Sequence, residues 1–204
     1  MKDTFAEGWT KINELSLDTV VDLIVTGRTA IEARPDEWIY KLFGNNDIPI
    51  TILDFGCGVG RNSFGFAINH KNWTVVGYDS DQMISRIPEY AAIHYNGIIP
   101  NNLWFVSDWN QLVHHKFDKI ICSLVLQHIY EDALAKYCKD FKTMTNFLFV
   151  TGRRYNDDKG NRSNWTILEE QGLIPNKFMR ECTIIPYSAE GDPNEHNSAF
   201  YFIS

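Results

Sequence analysis

The four cysteines of this 204-residue chain, Cys57, Cys122, Cys138 and Cys182, lie far apart and form no C-x-x-C pair. That spacing excludes a local zinc knuckle or dithiol motif, and buried reduced thiols are the expectation. No metal site is expected either: Glu190, Asp192, Glu195 and His196 share a polar loop but lack a ligand spacing. No apolar run approaches the roughly 20 residues that cross a bilayer. The start, Met1-Lys2-Asp3-Thr4-Phe5, is not a basic segment followed by a long apolar run, so no secretory leader is expected and the reading is a cytoplasmic protein. Basic charge is scarce and scattered, with 19 Lys and Arg against 26 Asp and Glu and a net charge of -7. The closest basic groups are Arg153-Arg154 and Lys139 with Lys142. Without a basic face, a nucleic-acid partner or an anionic membrane surface is not expected. Repeats and low-complexity tracts are absent.

What remains is an ordinary globular composition, 44% hydrophobic and 22% charged, of a length that suits one domain over residues 1–204. The first 48 residues read as a helical lead-in. Leu15, Leu17, Val20, Val21, Ile24 and Val25 recur at helical spacing, with Asp18 as the capping candidate. A second helix is predicted from Pro35 to Phe43, stopped by Gly44-Asn45-Asn46-Asp47. From residue 49, strand signals near 50–55, 74–79, 103–107, 117–123 and 145–151 alternate with helical ones over 61–70, 81–91, 130–142 and 163–172. Short apolar strands separated by helices predict an α/β fold with a mainly parallel sheet covered on both faces. Lys177–Ile185 and Ala199–Ile203 read as two further strands, with a turn-rich segment Pro186–Asn197 between them.

One stretch carries chemistry. The apolar run Thr51-Ile52-Leu53 ends in Asp54, and Gly56, Gly58 and Gly60 follow at alternate positions before a helix opens near Arg61. Alternate glycines let a chain turn sharply and let a ligand approach the backbone. The amides that open the next helix then face that ligand. Val75-Val76-Gly77-Tyr78 leads to a second acid, Asp79, 19 residues after Gly60. That distance suits one helix and one return strand, and a carboxylate there can accept both hydroxyls of a ribose. The G-x-G-x-x-G dinucleotide spacing is not met, because Arg61 falls where the last small residue belongs, which disfavours a nicotinamide or flavin dinucleotide oxidoreductase. A P-loop is excluded because no Lys-Ser or Lys-Thr follows the glycines.

Asp54-Phe55-Gly56-Cys57-Gly58-Val59-Gly60 resembles the first motif of class I S-adenosylmethionine-dependent methyltransferases. Asp79 resembles their ribose-binding acid, Val106-Ser107-Asp108-Trp109 their third-strand acid motif, and Phe117 to Ile129 their fourth-strand motif. The four run in family order. The resemblance implies a Rossmann-like, mainly parallel seven-stranded sheet with the last strand antiparallel. It implies S-adenosylmethionine as cofactor, and methyl transfer to a small molecule at oxygen or nitrogen more than at carbon. It also implies cofactor contacts from Asp54, Phe55, Gly56, Cys57, Gly58, Gly60, Asn62, Asp79, Ser80, Met83, Ser107, Asp108, Trp109, Ser123 and Leu124, with Arg34 on the cofactor's carboxylate. Asp108 has a second reading as a helix N-cap, and Met83 and Trp109 as core. His128 is the candidate general base, since its ordinary pKa lies near neutrality. Arg153, Arg154 and Tyr155 are candidates for holding an anionic or hydroxylated substrate. The alternative is a non-catalytic cofactor-binding subunit that supports a partner chain.

Overall fold

The computed structural model describes residues 9, 11–25, 27–36, 48–129, 131–153, 167, 169–173 and 197–203. The predicted helix after Pro35, the predicted strand Lys177–Ile185, and Arg154 with Tyr155 lie outside them. The chain divides into two compact units, Lys11–His114 and Met1–Thr10 with His115–Ser204.

In the first unit a 3-10 turn, Ile12–Glu14, precedes α1, Leu17–Ile24. Ser16, not Asp18, caps this helix: its side chain accepts from Thr19 N at 3.2 Å. Asp18 instead accepts from Ala30 N at 2.7 Å and fixes the chain that leaves the helix. Then follow β1 (Thr51–Phe55), α2 (Arg61–Asn69), β2 (Thr74–Tyr78), α3 (Asp81–Ile84), α4 (Ile87–Tyr95) and β3 (Leu103–Val106). The three strands pair in parallel in the order β3-β2-β1, with Asp54 opposite Gly77 and Gly77 opposite Phe105. The single helix predicted over 81–91 is two helices. Pro88 sits in the first turn of α4, where its missing N–H costs nothing, but it would clash with the carbonyl of Ile84 in a continuous helix. Ile52, Leu53, Phe55, Phe64, Phe66 and Val75 are fully buried, and since neighbours on β1 point to opposite faces, both faces of the strand are covered.

In the second unit, β4 (Lys119–Ser123) leads through a 3-10 turn (Leu126–His128) into α5 (Glu131–Met144), and then into β5 (Phe147–Arg153) and β6 (Asn197–Ile203). β4 and β5 pair in parallel, and β6 runs antiparallel to β5 with Phe149 opposite Tyr201. The described residues therefore hold six strands, where seven were predicted. The seventh was expected over 177–185, outside them. No helix among the described residues is long and apolar enough to cross a membrane.

Candidate cofactor site

β1 ends by delivering Asp54 into the interior, 2% exposed. Ser63 of α2 donates its hydroxyl to Asp54 Oδ2 at 2.5 Å. Burial pushes the Asp54 carboxyl up to about 6, opposed by that hydrogen bond and by the charge of Arg61. Beyond Asp54 the loop turns through three left-handed glycines, Gly56 (φ 72°), Gly58 (φ 60°) and Gly60 (φ 82°). Other residue types adopt that region at a cost, which explains the alternate spacing. The amides of Gly56 and Cys57 donate to Tyr78 O at 2.8 and 3.0 Å, so the loop is tied to the end of β2.

Asp79 follows Tyr78. Gly58 N donates to Asp79 Oδ2 at 2.8 Å and Ser80 N to Oδ1 at 2.7 Å. Burial pushes this carboxyl up to about 6 as well, opposed by the two amides and by the Ser80 hydroxyl. Cys57 is buried beside both acids, and burial, then the charges of Asp79 and Asp54, raise its thiol well above the ordinary range. It is no nucleophile in this setting.

Around this pair the remaining predicted residues separate by role. Ser80 caps α3, accepting from Met83 N at 3.3 Å, and Met83 is buried. Ser107 Oγ donates to Asp81 Oδ1. Asp108 is an N-cap, accepting from Asn110 N at 3.0 Å. Trp109 is buried edge-on against Phe55 and Tyr78, with ring centroids 5.4 and 4.9 Å away. Phe55 and Trp109 thus place their rings in one aromatic cluster. Asn62 accepts from Asp36 N at 2.9 Å and donates to its carboxylate at 3.3 Å. The Arg34 guanidinium donates to His94 Nδ1 at 2.6 Å.

Three features were not anticipated. Ser63 is the hydroxyl partner of Asp54. Arg61 is buried and grips Asp36 with both terminal nitrogens, at 2.6 and 2.7 Å, while also donating to Arg34 O at 2.8 Å. Ile24, at the end of α1, covers the glycine loop: a Cβ on Gly58 would lie 3.1 Å from its Cδ1. Only a pairing between distant segments reveals these, and spacing within the chain does not encode it.

In the second unit Ser123 Oγ meets Thr151 Oγ1 at 2.8 Å. Leu124 follows at φ 61°, and its amide donates to Thr151 O at 2.8 Å. A leucine in the left-handed region is strained by about 1–2 kcal/mol. His128 sits edge-on to Trp9, centroids 5.7 Å apart. Arg153 ends β5. Among the described residues no group of His, Cys, Asp and Glu is arranged to hold a metal ion.

A glycine turn after one parallel strand, with a buried carboxylate closing on it from the tip of the next, defines a nucleoside-cofactor-binding α/β protein. The residues fit such a group, because a buried carboxylate closes on a loop of bare backbone. Residues 52–146 match the family model described as a methyltransferase domain. Over that stretch, 95 of the 204 residues, the chain is similar to methyltransferases, in keeping with the resemblance of its motifs to the class I S-adenosylmethionine-dependent family. No curated protein sequence matches the chain. Among solved structures it is similar to a SAM-dependent methyltransferase from Aquifex aeolicus, at 17% identity and TM-score 0.60, covering 93% of this chain and 98% of that one. It is similar to an O-methyltransferase family 2 protein from Planctomyces limnophilus in complex with apigenin, at 15% identity and TM-score 0.57, covering 76% and 51%. It is also similar to the small RNA methyltransferase HEN1, at 16% identity and TM-score 0.58, covering 82% and 24%. The chain spans about half the length of the O-methyltransferase structures it matches. At these identities the likeness carries the α/β Rossmann-like fold with its parallel sheet.

Proposed function

We propose that this chain transfers a methyl group from S-adenosylmethionine to a small-molecule acceptor, at oxygen or nitrogen more than at carbon. The observation that carries the reading is the buried Asp79 carboxylate at the tip of β2, held against the Gly58 amide of the glycine loop. When bound, S-adenosylmethionine supplies a methyl group made electrophilic by its sulfonium. Asp79 accepts the ribose hydroxyls. The backbone from Gly56 to Gly60 cradles the cofactor, and Asp54 with Ser63 fixes the start of that cradle. Ser80, Met83, Ser107, Asp108 and Trp109 bound the adenine side. Arg34, whose guanidinium also donates to His94, meets the cofactor's carboxylate. Ser123 and Leu124 border the cofactor from the fourth strand, and the strain at Leu124 supports that assignment, because strained residues cluster at functional sites. His128 takes the acceptor's proton, and Arg153, Arg154 and Tyr155 orient the acceptor. The protein's main contribution is alignment and exclusion of water.

Support for a small acceptor comes from the acidic composition and from the likeness to an O-methyltransferase holding apigenin. The likeness to HEN1 makes short RNA the comparison substrate. The sequence reading also places the chain in the cytoplasm. The test is isothermal titration with S-adenosylhomocysteine, with NAD as control, followed by methyl-transfer assays on phenols, amines and short RNA. Micromolar binding that Asp79→Ala abolishes, with turnover on a small acceptor, is the expected result. Tighter binding of NAD overturns the cofactor reading. Transfer to RNA alone overturns the acceptor class. Cofactor binding without turnover until a partner chain is added is the result expected of a supporting subunit.

A further inference from the structure

Phe105 stands opposite Gly77 in the parallel register of β2 and β3. Gly77 offers no side chain, and the ring lies across its bare backbone: a Cβ there would fall 2.7 Å from Phe105 Cδ1 and 2.8 Å from Cε1. The far end of the same ring presses on the glycine loop, where a Cβ on Gly60 would fall 2.7 Å from Cζ and 2.9 Å from Cε1. One aromatic ring therefore bridges the middle of β2 and the last glycine of the loop. The Phe64 ring, centroid 5.9 Å away, backs it from α2. Cys57 uses the same bare strand, with its sulfur 3.0 Å from the Gly77 Cβ position.

The place of this contact matters. Gly77 lies near the end of β2, and Asp79 is the first residue past it. The loop is pinned at its start by Tyr78 O and at its middle by the Asp79 carboxylate. At its end, where α2 opens, the Phe105 ring sets how closely the loop approaches the sheet. Phe105 is only half-buried, so its first importance is not the volume it adds to the core.

We propose that Phe105 is a positioning residue of the ribose subsite: its ring, wedged between Gly77 and Gly60, holds the glycine loop at the height where the Gly58 amide meets the Asp79 carboxylate. This rests on the cofactor reading above. The effect passes through backbone placement of the loop.

The test is titration of the full chain with S-adenosylhomocysteine from pH 5 to 8, on wild type, Phe105→Ala, Phe105→Leu and Phe105→Met, with melting temperatures measured alongside. Phe105→Ala is expected to weaken binding tenfold or more at pH 7.5. Its acid limb is expected to move to higher pH, because Asp79 loses an amide that favours its ionised form. Phe105→Met refills the space with an adaptable apolar chain and is expected to bind within threefold of wild type with an unmoved limb. Should Phe105→Ala fail to fold, Phe105→Leu carries the same comparison with a smaller shift. A variant that melts lower yet keeps wild-type affinity and pH limb makes Phe105 ordinary packing and overturns the proposal. Weakened binding with an unmoved limb overturns it too. Absence of binding in the wild type removes the cofactor reading itself, which distinguishes that failure from this one.

Discussion

The amide of Gly58 donates to Asp79 Oδ2 at 2.8 Å, joining two residues 21 positions apart. That contact closes the turn after β1 onto the tip of β2. It places a carboxylate that burial has pushed up to about 6 beside the backbone proposed to hold the cofactor.

If Asp79 accepts ribose hydroxyls, it must be ionised to do so. Affinity for S-adenosylhomocysteine is expected to be flat above pH 7 and to fall below about pH 6, approaching tenfold per unit. Asp79→Asn should weaken binding about 10- to 100-fold at pH 7.5, the scale of charged hydrogen bonds worth about 1.5–3 kcal/mol. It should also flatten the acid limb. Titration calorimetry reads both, and a pH-independent wild-type affinity would remove Asp79 from the ribose.

Asp54 makes a prediction about stability. Its folded value, about 6, lies above the ordinary carboxyl value of 3.8. Between these the folded state binds more protons than the unfolded one, so this group's contribution falls as pH rises through that window. Below it the penalty is absent, and above it the penalty is complete. Asp54→Asn removes the titration. Urea unfolding at pH 4 and pH 7 should show the variant improving relative to wild type at the higher pH. An equal difference at both pH values would sink the assignment.

Asp36 and Arg61 form a pair with side chains 11% and 6% exposed. Removing one partner of a buried pair strands the other charge, at a cost of about 3–5 kcal/mol. Asp36→Ala should therefore lower unfolding free energy on that scale. A double-mutant cycle with Arg61→Met should recover much of it. A loss below about 1 kcal/mol would mean that solvent screens this pair as it screens surface ones.

Leu124 reverses the usual effect of glycine. A Leu→Gly change ordinarily costs backbone entropy and packing, but here it relieves a left-handed φ of 61°. Leu124→Gly is expected to stay within about 1 kcal/mol of wild-type stability while lowering methyl transfer. A large drop in melting temperature would show that the side chain's packing outweighs its strain.

Much of the cofactor loop was legible because local geometry dictates local composition. Three left-handed turns demand glycine at Gly56, Gly58 and Gly60, and the strand-end acids Asp54 and Asp79 fall where apolar runs stop. Strand and helix alternation was legible for the same reason. Contacts between segments distant in sequence were not. The hydrogen bond of Arg34 to His94, 60 residues away, is a pairing that depends on how α4 packs. Asp108 carried two readings, and the N-cap is the one its side chain adopts. Asp18 looked like a cap, yet Ser16 had the right φ and ψ for it, and Asp18 bonds Ala30 instead. Ser63 and Phe105 gave no signal, since serine and phenylalanine suit many helix and strand positions.

The grip of Arg61 on Asp36 bears on where this domain begins. Similarity to the methyltransferase model starts at residue 52, and the sheet starts at Thr51. A boundary drawn there would be one of ancestry and secondary structure, but not of cooperativity. Cutting before β1 would leave a buried guanidinium facing an empty socket and strip Ile24 from Gly58. The smallest piece able to fold and bind as a unit reaches back at least to Ile12, whose carbonyl is already held by Arg86 of the far helices at 3.1 Å.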